Sequence, residues 1–382
     1  MLLLLAATPA LVAQTLSAPA PTPTPTPLAP AKPKADRPSF IPFPIVFSQP
    51  ETGLGYGVAV LPVFRLGPDS ATRKSSARLI GWRTQQQQSL MQLTHSVFTP
   101  GERYFMSGEA SYYHQFPINY YGTGPQTRVA DKSVIEYKVF IFNQRALRRL
   151  APGLFTGLQY RLTDLRDVQL NEGIAGVPDR SRLYERPARE YAQNTRISGL
   201  GPALLYDRRD NVLSPFRGSY LELSALFNST ALGSDYRFGR YLLDARHFRP
   251  LGQDHKTILA AQLVGQFHGG SVPFRELANL GGGSLLRGYY EGRYRDRQLL
   301  AAQVEVRRAL FGRFNGVLFG GLGQVGNTLG ELAGAGRGGV KAAGGAGLRF
   351  RFNRRDRLNV RLDYGVGRGG SSGVYFSIGE AF

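Results

Sequence analysis

Side chains that commonly carry out chemistry are sparse in this chain. The five histidines are His95, His114, His247, His255 and His268, and none stands in an obvious serine–histidine–acid spacing. His255 follows Asp254 within a turn, which is the setting of a solvated pair rather than of a catalytic dyad. Gly281-Gly282-Gly283 has the composition of a phosphate-cradling loop, but no Gly-Lys-Ser/Thr follows it, so these glycines read as flexibility within a long loop. Cysteine is absent, which excludes disulfides and thiolate metal sites and suits passage through an oxidising compartment. The expectation is a non-enzymatic protein with no catalytic residue, no metal and no cofactor. What stands out instead is charge in unusual places. Glu305, Arg307, Arg361 and Asp363 occupy alternate positions inside otherwise apolar segments, where a small dry core would not accept them unpaired.

The elements that would position these charges alternate with period two. In Ile258–Phe267, Leu259, Ala261, Leu263 and Phe267 share one face, with Gln262 and Gln266 on the other. In Leu299–Arg307, Leu300, Ala302, Val304 and Val306 alternate with Gln303, Glu305 and Arg307. In Asn359–Val366, Val360, Leu362, Tyr364 and Val366 alternate with Asn359, Arg361 and Asp363. Apolar residues make up 42% of the chain, yet no internal run approaches the ~20 apolar residues of a membrane helix. A chain that spans a bilayer without such helices must do so as a closed barrel, with its apolar faces toward lipid and its polar faces toward the lumen. The 47 glycines, 19 tyrosines and 23 phenylalanines fit twisted strands and aromatic girdles.

The predicted fold is therefore all-β: a transmembrane antiparallel barrel of about sixteen strands. The strands begin near Ser39, Leu54, Ser75, Ser89, Arg103, Ser133, Leu154, Asn194, Ser219, Tyr236, Thr257, Gln298, Gly316, Gly338, Asn359 and Val374. Short turns at 99–102, 251–254 and 353–356 alternate with long connections near 116–132, 166–193 and 269–297, which places the short turns on the periplasmic side. Pro42 and Pro44 weaken pairing in the first strand and predict a poorly bonded seam with the last. Residues 1–13 read as a signal peptide, 14–38 as a Pro-rich periplasmic linker, and 39–382 as the barrel. The net charge of +20 is spread along the chain, which disfavours nucleic acid as a partner. Arg145, Arg148 and Arg149, with Arg354, Arg355 and Arg357, fall at the periplasmic rim, where each cation near an anionic headgroup contributes about 1 kcal/mol.

Four segments narrow the reading. The first is Leu286-Arg287-Gly288-Tyr289, in the loop 269–297. The second is Tyr206-Asp207-Arg208-Arg209-Asp210-Asn211, followed by Pro215-Phe216-Arg217-Gly218-Ser219-Tyr220; its carboxylates can cap turn amides, and its Pro and Gly can set the turn. The third is Val360-Arg361-Leu362-Asp363-Tyr364-Gly365, and the fourth is Phe376-Ser377-Ile378-Gly379-Glu380-Ala381-Phe382. Together they make residues 39–382 resemble the BamA/TamA family of outer-membrane barrels, the bacterial surface antigen superfamily.

The resemblance implies that Arg287 is carried into the lumen by its loop and bonds to acidic residues on the wall. Asp363 and Glu305 are its candidate partners, and Arg361 points into the lumen beside Asp363. It implies a periplasmic strand–turn–strand built on Asp207, Arg209, Asp210, Asn211, Pro215 and Gly218. It further implies a last strand in which Phe376, Ile378, Gly379 and the terminal aromatic Phe382 form the signal read by the barrel-assembly machinery. The chain departs from the family at Gly321, where relatives often carry the Asp that grips the loop arginine. It also shows no tandem periplasmic POTRA domains, and so resembles the barrel-only members. The function implied is to assist insertion or translocation of proteins at the outer membrane, or to perturb that membrane locally. The expected partners are outer-membrane lipids and lipopolysaccharide, the assembly machinery and polypeptide clients. The alternative is a plugged or weakly anion-selective channel, with Arg161, Arg349 and Arg351 making the lumen basic.

Overall fold

The computed structural model describes residues 38–382, apart from 50–52, 69–71, 86, 116–117, 172–193, 253–255, 335–338 and 355. The expected leader, the Pro-rich tract up to residue 37, the Asp254–His255 pair, Arg355 and most of the 166–193 connection lie outside the described residues.

Among the described residues there are nineteen strands. The first half comprises β1 (Ser39–Gln49), β2 (Gly53–Phe64), β3 (Ser75–Thr84), β4 (Ser89–Phe98), β5 (Tyr104–His114), β6 (Ile118–Tyr120), β7 (Ser133–Ala151), β8 (Leu154–Asn171) and β9 (Thr195–Asp207). The second comprises β10 (Gly218–Asn228), β11 (Phe238–Leu251), β12 (Thr257–Gly270), β13 (Ala278–Leu280), β14 (Tyr294–Asp296), β15 (Gln298–Ala309), β16 (Phe314–Gly326), β17 (Lys341–Asn353), β18 (Leu358–Gly367) and β19 (Ser372–Ile378). The α-helix described, α1, has a single turn (Leu329–Ala333), and no described helix is long and apolar enough to cross a membrane.

Strands β6, β13 and β14 are three residues long; the other sixteen build the wall, each antiparallel to the next. Their starts agree with the sixteen expected from the two-residue alternation to within a few residues.

The alternation sorts side chains as a membrane wall requires. On β15, Leu300, Val304 and Val306 are exposed on the outside, while Gln303, Glu305 and Arg307 are buried inside. On β18, Leu362, Tyr364 and Val366 point out, and Asn359, Arg361 and Asp363 point in. The lumen is not wholly polar, however. Phe98, Phe105, Phe155, Leu147, Ala203 and Leu205 form an apolar cluster at the short-turn end. Arg73 caps it, with its guanidinium 4.2 Å from the Phe98 ring and hydrogen-bonded to Glu102. This inward apolar plug escapes period-two reading, because alternation assigns faces and not the filling at each end.

Between β1 and β19 no ladder forms among the described residues, so the ring is left open by hydrogen bonds at one seam, although Phe43 and Ile378 belong to the same apolar cluster there. The cause is local. Pro42 faces Val60 and Pro44 faces Val58 in an unbroken β1–β2 register. Bonded pairs alternate in such a register, and a proline has no N–H to exchange, so the bonds to β2 use the residues between the prolines. Both missing donors therefore fall on the edge turned toward β19.

One expectation is corrected at the other side of the seam. The last strand ends at Ile378, and Phe382 is not on the wall. Gly379, at φ 89°, turns the chain inward, and Phe382 is buried beside Phe248 with ring centroids 6.3 Å apart. Glu380 explains the turn: its carboxylate is drawn to lumenal Arg349 and Asn359, partners unavailable on a lipid face.

If the exposed faces meet lipid, Val304→Arg should lower barrel stability by about 2–4 kcal/mol, the cost of a cation near the bilayer midplane. Urea unfolding in phospholipid vesicles measures this, and an unchanged midpoint would mean that the face is not in lipid.

Candidate functional site: the inward loop and its ionic lock

Loop 271–297 leaves the wall after β12 and returns at β15. Its two arms pair as the β13–β14 hairpin, with Leu280 opposite Tyr294, so a short ladder satisfies backbone that would otherwise be buried unpaired. Leu286 (φ 49°) and Gly288 (φ 122°) reverse the chain around Arg287. Gly288 is required twice over: its φ is unfavourable for an L side chain, and a Cβ there would stand 2.5 Å from the Val366 carbonyl carbon.

Arg287 is fully buried. Its Nη1 donates to Asp363 Oδ2 at 2.6 Å and its Nη2 to Glu305 Oε1, and the guanidinium lies 3.7 Å from the centroid of the Phe319 ring. Each carboxylate has a second cation. Arg307 Nε donates to Glu305 Oε2 at 2.7 Å, and Arg349 Nη1 to Asp363 Oδ1 at 2.5 Å. Arg349 Nε reaches Glu380 Oε2 at 2.9 Å. Arg361 is also buried, with its Nη1 3.6 Å from Asp363 Oδ2, a looser contact than the others. Removed from water, such ions persist only where charge-assisted hydrogen bonds offset desolvation.

The flanking tip residues are held as well. Leu286 is packed under Leu280, and the Tyr289 hydroxyl donates to Ala342 O at 2.9 Å. Gly288 N donates to the Tyr375 hydroxyl at 2.9 Å, and Ser371 Oγ donates to Gly288 O at 2.6 Å. The strand beneath lacks side chains where the tip lies: a Cβ at Gly365 would be 2.6 Å from the Arg287 carbonyl, and one at Gly367 would be 2.6 Å from the Tyr289 ring. Gly347, opposite Asp363, leaves room for its carboxylate. A second anchor holds the loop base, where Arg161 pairs with Glu276 at 2.9 Å and Arg293 bonds twice to Thr127, each at 2.7 Å.

The structure thus brings Arg287, Glu305, Asp363 and Arg361 together. Sequence reasoning passed over Arg307, Arg349 and Glu380 as members of the cluster, together with Phe319, Tyr375, Ser371 and the glycine cradle. Arg307 and Arg349 carried a usable signal, since each lies on the lumenal phase of its strand. The cradle gave none, because it depends on where the loop lands. Gly321 faces Gln303 on β15, one step along the wall from the Glu305–Phe319 pair, so the carboxylate comes from β15 instead of β16.

The other segments lie apart from the lock. In the turn between β9 and β10, Asp207 takes both Arg209 Nε and Nη2 at 2.9 Å, Asn211 Oδ1 accepts from Leu213 N and Ser214 N, and Gly218 sits at φ 108°. Pro215 and Phe216 continue the turn beneath the lumen, and Arg357 stacks on the Phe216 ring at 4.1 Å. Phe376 faces outward and Ile378 packs at the seam. Among the histidines, His268 Nδ1 contacts Arg297 O at 2.6 Å, and His247 Nδ1 meets Ser219 Oγ at 2.9 Å as a cross-strand pair.

A sixteen-stranded antiparallel wall around an inward loop, pinned by a buried arginine, defines an Omp85-type barrel. The chain belongs to the Omp85 superfamily, whose domain matches residues 100–382, and whose barrels are integral outer-membrane proteins. Among solved structures it is similar to BamA from Haemophilus ducreyi lacking POTRA domains 1–3, at 16% identity and a TM-score of 0.57, over 89% of this chain and 70% of that one. It is also similar to CdiB from Acinetobacter baumannii (13% identity, TM-score 0.54, 89% of this chain and 59% of that one). CdiB from Escherichia coli matches alike (12%, 0.54, 88% and 61%). The chain therefore spans about three fifths of either CdiB chain. No curated protein matches it in sequence.

Arg287→Ala should leave two carboxylates short of a partner and cost about 3–5 kcal/mol. Heat-modifiable gel mobility and urea midpoints read this, and wild-type behaviour would show that the lock does not hold the barrel. A pH effect follows at the turn. Partial burial pushes the Asp210 carboxyl up, but Arg357 and the N–H groups of Phe216 and Arg217 outweigh it, so its pKa lies below the ordinary value. Its stabilisation is complete above the unfolded pKa and is lost as pH falls through the lower folded one. Asp210→Asn should therefore flatten the stability loss below about pH 4; equal slopes for both proteins would remove this assignment.

Proposed function

We propose that this barrel promotes insertion or translocation of polypeptides at the outer membrane, or loosens the bilayer locally, with the β1–β19 seam as its working edge. The observation that carries this reading is the absence of a ladder at that seam among the described residues, with the two prolines of β1 removing donors on the same edge. An unpaired strand edge is a template for an incoming strand. In lipid its free polar groups also disfavour ordered hydrocarbon beside it. Superfamily membership supports the setting and leaves the activity to be tested. The outward aromatics Phe311, Phe314, Phe350 and Phe352, with Arg308, Arg313 and Arg354 close by in sequence, suit lipid headgroups at the short-turn rim. No catalytic role is assigned.

A second reading is a plugged structural barrel or weak channel, favoured by the loop locked across the lumen and by the pairing of Arg161 and Arg349, which neutralises two of the expected lumenal cations. One experiment separates the two. Cysteines introduced at Phe43 and Ile378, the only ones in the chain, are bridged by a short bismaleimide. Vesicles carrying the unbridged protein should speed insertion of a urea-unfolded small barrel, and bridging should abolish the effect. No acceleration, or acceleration indifferent to the bridge, would overturn the first reading. Single-channel conductance appearing only in Arg287→Ala would then support the plug.

A further inference from the structure

We propose that the lumen contains a binding site for a phosphate-type oxyanion at its short-turn mouth, next to the loop lock and sharing Arg307, Arg349 and Glu380 with it. A cavity of about 140 Å³ lies there, lined by the ends of β12, β15, β16 and β17, by Asn359 and Glu380, and by Ser214–Phe216 of the turn between β9 and β10. At ~30 Å³ per water, that is the space of a tetrahedral oxyanion with a water or two.

Its chemistry is one-sided. Lys256, Arg307, Arg308, Arg349 and Arg351 line it, against the single carboxylate of Glu380. That carboxylate is already used: Oε2 accepts from Arg349, and Oε1 from Asn359 Nδ2 at 2.5 Å and Ser214 Oγ at 3.3 Å. Arg349 is likewise committed to Asp363 and Glu380.

Two guanidinium donors remain over. Arg307 is more than nine-tenths buried; its Nε serves Glu305 and its Nη2 the Phe382 oxygen, but its Nη1 is buried with no hydrogen-bond partner. Arg351 Nε is also buried without a partner, while the guanidinium lies 5.5 Å from the Phe216 ring, which holds it at the cavity edge. A buried cationic donor left unmade is costly, and an anion in the adjoining cavity brings several acceptor oxygens to the residues that carry these donors. Low dielectric around the cavity strengthens that attraction relative to an open surface.

The neighbouring lock shows the contrast. There Glu305 and Asp363 each meet two arginines directly, whereas here a cavity lies beside five cations and one carboxylate. The ligand is a phosphate group, carried either by free inorganic phosphate or by the headgroup of an anionic phospholipid at the membrane edge.

The test uses the full-length barrel folded in a zwitterionic detergent without phosphate. Inorganic phosphate and dihexanoyl phosphatidylglycerol are titrated separately, with binding followed by calorimetry and by broadening of the phosphorus NMR line. At least one probe should bind saturably at one per barrel. Arg351→Gln should weaken that binding roughly tenfold or more, the loss of one charge-assisted hydrogen bond, with heat-modifiable mobility unchanged. Lys256→Gln serves the same purpose if the first variant fails to fold. Saturation by phosphate alone assigns a free-ion site, and saturation by the lipid probe alone assigns a headgroup site. Binding by neither probe, or binding indifferent to both substitutions, overturns the proposal.

Discussion

Arg287 is carried on a loop that begins and ends at the wall, yet its side chain has no contact with solvent. A guanidinium cannot lose its protons in any accessible range, so it must be answered by acceptors wherever it is buried. This constraint propagates outward. Glu305 and Asp363 must point inward, which fixes the parity of β15 and β18, and that parity turns Leu300, Val304, Leu362 and Tyr364 outward. A shift of either strand by one residue would move an ion toward lipid and a leucine toward the lock. The ionic cluster therefore specifies register around this part of the ring as much as it adds stability, since buried pairs give uncertain net energy.

The same loop divides the wall into unequal parts. Its tip rests on β15 through β19, by ion pairs to Glu305 and Asp363, by the glycines of β18, and by Tyr375 and Ser371 near the last strand. Strand β1 receives none of these tip contacts and has prolines along its outer edge. One side of the seam is thus braced from within, and the other is held through β2. Glycine cradles make the brace close-fitting, because backbone meets backbone where any side chain would separate the two surfaces.

Legibility differed between these features for physical reasons. Period-two alternation is a property of consecutive residues, so the sixteen wall strands, the outward leucines and the inward acids could be read directly. The prolines of β1 are local too, and they indicated where pairing would fail. The inward course of residues 379–382 was misread because Phe376 and Ile378 continue the strand alternation smoothly; the deciding contact, Glu380 with Arg349 and Asn359, joins residues far apart in the chain.

By itself, then, the sequence determined an all-β membrane wall, its strand count and its weak edge, since each follows from neighbours along the chain and from what lipid demands of a backbone; the inward arginine loop was legible only through the family resemblance of its motif. Only the tertiary structure decided that both candidate carboxylates answer Arg287 at once, that glycines of β17 and β18 make space for the lock, and that more cations than acids line the short-turn mouth. Those outcomes depend on how the wall curls round and on where a long loop lands, and both bring together residues whose separation in sequence carries no periodic signal.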